Sequence, residues 1–174
     1  MPKSDQGIDH KRYRVVPRTL IFLFNHSNQV LLLKGSPNKR LWPSQFNGIG
    51  GHLESGEDIV QAAYRELSEE TGITDVTIYL CGQIMIDVNR ADGVAIFVFK
   101  GQYDALLELA SPEGELAWVD LDGLAAVPLV EDLPVLIPMV AAQQPASPLI
   151  IGKYSYGPAG EMLISFRGDA GIEN

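Results

Sequence analysis

The chain has 174 residues, enough for one domain with a sizeable core. Hydrophobic residues make up 46% and charged residues 20%, the balance of a soluble globular protein. The formal net charge of −9 argues against a nucleic-acid polymer as partner, because a phosphate backbone calls for a basic face.

Residues 1–14 are polar and charged, unlike a signal peptide, and read as a flexible N-terminal arm ahead of a single domain over 15–174. Residues 15–24 are rich in β-branched and aromatic side chains and predict a strand. A turn at 25–28 and a second strand at 29–34 complete a hairpin. Residues 35–45 form a polar loop carrying Lys39, Arg40 and Trp42, a composition that often sets specificity at the edge of a site. Phe46-Asn47-Gly48-Ile49-Gly50-Gly51-His52-Leu53 follows. Its glycines let backbone approach a ligand closely, although a plain tight turn would use them equally well.

The next stretch predicts a helix. Ser55, Gly56, Glu57 and Asp58 supply capping chemistry and early negative charge, and Gly72 stands where a left-handed C-terminal cap belongs. Val60, Ala63, Tyr64 and Leu67 recur at helical spacing and predict the buried face. Glu66, Glu69 and Glu70 fall within about 100° of one another beside that stripe. Like charges at i, i+4 repel, and the last turn of a helix disfavours anions. A solvated acidic face is one explanation. The other is a hard divalent cation, Mg²⁺ or Mn²⁺, which takes carboxylate oxygens and keeps open positions for water and phosphate.

Further strands are predicted at 76–88 and 94–103, around a turn at 89–93, and a short one at 116–119 around Trp118 after an acidic turn at 111–115. Cys81, the single cysteine, rules out an intrachain disulfide and reads as a buried core thiol. A helix is predicted at 133–142, with Asp132 as its cap and Pro134 in its first turn. The apolar run from 124 to 142 is broken by Pro128, Glu131, Asp132, Pro134 and Pro138, so no membrane span is expected and a cytoplasmic location is the default. Residues 149–155 and 162–166 predict a terminal hairpin around Gly157-Pro158-Ala159-Gly160. Strands on both sides of a central helix, with a second helix late in the chain, give a mixed α/β (α+β) layer fold.

From Gly51, the chain reads five residues, Glu57, seven residues, then Arg65-Glu66-Leu67-Ser68-Glu69-Glu70-Thr71-Gly72-Ile73. This resembles, without departure, the Nudix box, Gly-x5-Glu-x7-Arg-Glu-(apolar)-x-Glu-Glu-x-Gly-(apolar). At ordinary residue usage a chance match at a given start is on the order of 10⁻⁸. The resemblance implies a Nudix α/β/α sandwich with a mixed β-sheet. It also implies an enzyme that hydrolyses a phosphoanhydride in a nucleoside diphosphate linked to another group, a small-molecule nucleotide substrate. By position in the motif, Glu66, Glu69 and Glu70 are the metal ligands and the carbonyl of Gly50 or Gly51 adds one more. Glu57 and Arg65 match the family's structural pair, with Gly51 and Gly72 the motif glycines. Bound metal in such a site neutralises phosphate charge and lowers the pKa of water.

In several Nudix branches a Glu before a Trp-containing strand supplies a further metal contact or the base. Glu113 and Glu115 precede Trp118, and Glu113 is the better match. The segment from Phe46 to Gly51 is similar to the Trp-Asn-Gly-Phe-Gly-Gly of oxidised-purine nucleoside triphosphatases, in which the Asn and an Asp near the last helix bind the base. Asn47 and Asp132 match those positions, while Leu133 replaces a neighbouring acidic residue and Val130 a stacking aromatic. Three readings stay open: a nucleoside triphosphatase of the 8-oxo-dGTP kind releasing pyrophosphate, a pyrophosphatase for ADP-ribose, sugar nucleotides or dinucleotides, and a catalytically silent nucleotide sensor. The intact box argues against the last. The sequence leaves the oligomeric state open.

Overall fold

A computed structural model of the chain describes residues 7, 11–38, 42–105, 110–111 and 114–167. β1 (Arg14–Phe24) and β2 (Gln29–Gly35) form the expected hairpin, with Leu23 opposite Leu31 and Phe24 opposite Val30. The turn between them is locked by Asn25, whose Oδ1 accepts from the N–H groups of Ser27 and Gln29 at 3.0 Å. β3 (Phe46–Asn47) adds to β2, and α1 (Ile59–Thr71) follows. β4 (Ile78–Asp87) and β5 (Asp92–Gln102) make a second hairpin. β6 (Ala110–Ser111) and β7 (Gly114–Asp120) precede a 3-10 turn (Leu121–Ala126), α2 (Leu133–Ala142) and the terminal hairpin of β8 (Ile150–Tyr156) and β9 (Met162–Phe166).

One mixed sheet takes the order β6-β7-β2-β1-β5-β4-β8-β9, with β3 also on β2. Its spine is the parallel pairing of β1 with β5, from Arg14 beside Asp92 to Phe24 beside Gln102. Alternation along β1 sends Leu20, Phe22 and Phe24 to one face and Ile21 and Leu23 to the other. The first face packs Leu133, Leu136, Ile137 and Val140 of α2, and the second packs Ala63 and Leu67 of α1. The result is the α/β/α arrangement. Burying one such side chain stabilises the fold by about 1.5–3 kcal/mol.

Asp58 caps α1: its side chain accepts from the N–H groups of Val60 and Gln61, and the Gln61 side chain accepts from the Asp58 N–H. Gly72 ends it at φ 72°, its N–H donating to Ser68 O. Val60 corrects the predicted stripe, for it is exposed and Ile59 takes the place against the core. α2 is apolar nearly all round, and its C-terminus is capped from another element. Lys100 Nζ of β5 donates to Ala141 O and Gln143 O at 2.7 and 2.8 Å while lying over the Phe24 ring.

Asp132 stands at the start of α2, as expected, but its side chain does not cap it. Pro134 has no N–H to offer, and the N–H groups of Val135 and Leu136 already reach the Asp132 carbonyl. The carboxyl is therefore released for other use. Cys81 is buried, as expected, and burial pushes its thiol up to about 12. Of the expected arm, residues 1–6 and 8–10 lie outside the described residues; Arg14 already belongs to β1, and the Tyr13 hydroxyl donates to Asp87 at 2.9 Å. Among the described residues no helix is long and apolar enough to cross a membrane.

Candidate active site

β1 does not keep β2 as its neighbour along its whole length. Along its middle the glycine segment runs beside it: Thr19 N–H donates to Gly51 O at 2.8 Å, and Ile21 and Ile49 exchange both backbone bonds. This pairing delivers Gly50 and Gly51 to the side of α1. The Gly50 N–H donates to Glu70 Oε2 at 2.9 Å. A Cβ on Gly51 would stand 2.5 Å from Glu66 Oε1, so any larger residue would push this carboxylate aside.

Arg65 ties the loop to the helix. Its Nε and Nη2 donate to both oxygens of Glu57 at 3.1 and 2.8 Å, the forked contact expected of the pair. Nη2 also donates to His52 O, and Nη1 reaches Glu66 and Glu69 at 2.9 and 3.1 Å. Donating these hydrogen bonds to Glu57 raises the guanidinium's pKa, and accepting them lowers that of Glu57. The repulsion expected among the three glutamates is thus partly offset by the cation beside them. Glu70 is buried, while Glu69 is exposed. Among the described residues no three His, Cys, Asp or Glu side chains are already gathered at metal-coordinating geometry. Arg65 lies between Glu66 and Glu69, and the Gly50 N–H holds Glu70.

These carboxylates line a cleft of about 590 Å³. Asn47, Val130, Asp132 and Tyr154 line the same cleft, with Trp42, Tyr156 and Met162. The Asn47 Oδ1 accepts the N–H of Gly48 at 2.8 Å, which fixes the amide's orientation and leaves Nδ2 as its donor. Asp132 is buried, and that burial raises its pKa. The Tyr154 hydroxyl is buried beside it without a hydrogen bond of good geometry, and burial followed by the Asp132 charge pushes the phenol up. Arg18 also lines the cleft. Its Nε and Nη2 both approach His52 Nε2, at 2.9 and 2.7 Å, and burial together with Arg18 lowers the imidazole's pKa.

Glu113 lies outside the described residues. Glu115 is exposed on β7 and lines a separate depression with Lys34 and Ser44. Leu133, at a position of interest for base binding, is turned into the core. Arg18 and Tyr154 were missed by sequence reasoning. For Tyr154 a signal existed, since the alternation Ile150, Gly152, Tyr154 marks the inward face of β8.

The NUDIX domain family model matches residues 14–140. The chain belongs to the Nudix family. Among its relatives, the Nudix hydrolase YvcI of Bacillus subtilis is 30% identical over 148 residues, 82% of this chain and 87% of that protein. The oxidized purine nucleoside triphosphate hydrolase of Danio rerio is 30% identical over 92 residues, 52% of this chain, and the match spans 59% of the fish enzyme. Among solved structures, a MutT protein from Bacillus halodurans is 29% identical with a TM-score of 0.70, covering 89% of this chain and 98% of that one. The Nudix domain of Shewanella oneidensis NrtR, solved with ADP ribose, shares the fold at 18% identity and a TM-score of 0.64, covering 81% and 97%. The chain is a Nudix hydrolase acting on nucleotide pyrophosphate bonds, in a family that generally uses divalent metals.

Proposed function

We propose that this Nudix hydrolase cleaves a nucleoside triphosphate of the 8-oxo-dGTP kind to monophosphate and pyrophosphate. The observation that carries the reading is that one cleft is lined both by carboxylates against a glycine segment and by Asn47, Asp132 and Tyr154. A triphosphate and its base need those two chemistries at the two ends of one ligand.

The donor set fits a hard cation. Glu66, Glu69 and Glu70 offer only oxygen, and Gly51 lacks the Cβ that would crowd Glu66. Since the Gly51 carbonyl already accepts from Thr19, the Gly50 carbonyl is the fourth ligand we assign, with Mg²⁺ or Mn²⁺ as the ion. When bound, the ion neutralises phosphate charge and makes water more acidic. Arg65 orients Glu66 and Glu69, and the Gly50 N–H fixes Glu70. Arg18 adds a cation on the cleft wall suited to phosphate oxygens. Across the cleft Asn47 Nδ2 donates to a base acceptor, the Tyr154 hydroxyl offers a second donor, and Asp132 presents a buried carboxyl whose pKa burial raises. Glu113 remains our choice for a further acidic contact.

A nucleotide panel with Mg²⁺ tests the reading. Pyrophosphate and monophosphate should appear fastest from purine triphosphates. Turnover of ADP-ribose or a dinucleotide alone would reject it in favour of the wider pyrophosphatase class.

A further inference from the structure

β9 is the last strand of the sheet, and among the described residues nothing pairs with its outer edge. The bonds on its inner side decide what that edge presents. Gly157 N–H donates to Glu161 O and Arg167 N–H donates to Ile151 O, both at 2.9 Å, and the register between β8 and β9 is unbroken. Glu161, Leu163, Ser165 and Arg167 therefore turn their backbone groups toward β8. Met162, Ile164 and Phe166 turn theirs outward. An open edge is a template for another strand, and proteins blunt it with charge, proline or a bulge. Met162–Phe166 has neither a charged residue nor a proline.

We propose that β9 pairs with β9 of a second copy of this chain, antiparallel about a two-fold axis through Ile164. The outward-facing residues set the register. Ile164 faces Ile164 and Met162 faces Phe166, giving about six backbone hydrogen bonds. The same axis places Glu161 opposite Arg167 of the second copy, and Arg167 opposite Glu161, because both lie three positions from Ile164. They form the non-hydrogen-bonded class of pair, in which opposed Cα atoms approach to about 4.5 Å and side chains meet. Centring the axis on Met162 or Phe166 instead would set Glu161 against Leu163, or Arg167 against Ser165, and forfeit both ion pairs. The hairpin's charged residues, Lys153 and Arg167 against Glu161, sum to +1 on a chain of −9, so this edge avoids the repulsion that opposes self-association elsewhere. Leu163 is 50% exposed and would be covered beside Ser165 of the second copy. Because Met162 also lines the cleft, the interface borders the active site.

Sedimentation of the full chain tests this. The expected species has twice the 19.0 kDa mass of the chain. Glu161→Arg and Arg167→Glu should each weaken the dimer by about ten- to a hundredfold, and the double swap should restore it. Glu161 also accepts the Ala159 N–H at 3.0 Å in its own turn, so Arg167→Glu reads the pairing free of that role. A wild-type monomer at every concentration overturns the proposal, as does a dimer indifferent to both swaps. A monomer that dimerises only after removal of residues 168–174 assigns the edge to the chain's own terminus and overturns it equally.

Discussion

Gly50 and Glu70 stand twenty residues apart and meet through one hydrogen bond, the Gly50 N–H donating to Glu70 Oε2 at 2.9 Å. The bond satisfies a backbone donor and aims a buried carboxylate in one stroke. Glu70→Gln keeps an acceptor there and removes the charge. It should lower kcat by roughly a hundredfold or more, the scale of losing one electrostatic group from an active site, while the melting temperature stays near wild type. Glu70→Ala should also orphan the Gly50 N–H, at a cost of about 1–3 kcal/mol. Thermal melts of both variants beside their kinetics separate charge from folding; equal destabilisation by Gln and Ala would reject the metal role.

Removal of divalent metal by EDTA should abolish turnover, and Mg²⁺ or Mn²⁺ should restore it. Full activity in metal-free buffer would refute the assignment of Glu66, Glu69 and Glu70.

Arg65→Lys keeps a charge but cannot make the fork to Glu57 and still reach His52 O, Glu66 and Glu69. Displacement of the carboxylates by about 1 Å should cost kcat on the order of a hundredfold. A crystal structure of the variant should show the glycine segment moved relative to α1; wild-type kinetics would show the fork to be dispensable.

Asn47 serves two masters, because its Oδ1 already holds the Gly48 N–H. Asn47→Ala should therefore lower both the melting temperature and kcat/KM. Tyr154→Phe removes a buried hydroxyl that has no well-formed partner, so it should leave the melt unchanged or raise it. If that hydroxyl reads the base, kcat/KM for purine triphosphates should fall about tenfold, while that for dCTP changes little. Loss uniform across all substrates would remove Tyr154 from base recognition.

Burial raises the pKa of Asp132, which sets the sign of a pH effect. Below the carboxylate range of the unfolded chain both states hold the proton and the group is neutral toward folding. As pH rises through the folded pKa the native state must either keep a proton the unfolded chain has lost or bury a charge, so stability falls. Asp132→Asn should raise the melting temperature at neutral pH, and the gain should vanish on acidification. A gain that persists in acid would point to packing instead.

The parts of this site that are local in sequence were legible. A capping residue within 55–58, the cap Gly72 and the hairpin turns all depend on residues a few positions apart, while the pairing of Glu57 with Arg65 was implied by the resemblance to the Nudix box. Val60 was misassigned because spacing identifies a helical stripe without saying whether its first turn reaches the core. Asp132 takes the N-cap position as expected, but that its side chain stays out of the cap depends on which N–H groups Pro134 removes and which the Asp132 carbonyl already holds. The long parallel pairing of β1 with β5 joins Arg14 to Asp92, and no local rule fixes such a register. The contact of Tyr154 with the cleft depends on the same kind of distant pairing, here between β4 and β8.

The lysine that caps α2 has a dynamic consequence. A helix end normally frays first, in opening events far smaller than global unfolding. Here the carbonyls of Ala141, in the last turn of α2, and of Gln143, its C-cap, are gripped by Lys100, whose strand lies in the middle of the sheet. Fraying of α2 must break that grip, so its terminal amides should exchange with solvent on the timescale of the β5 core rather than of a loose end. Asp132 lies at the opposite end of this rod, about 15 Å away. The steadiness of the Asp132 side of the cleft is thus set partly by an ammonium group that does not line it.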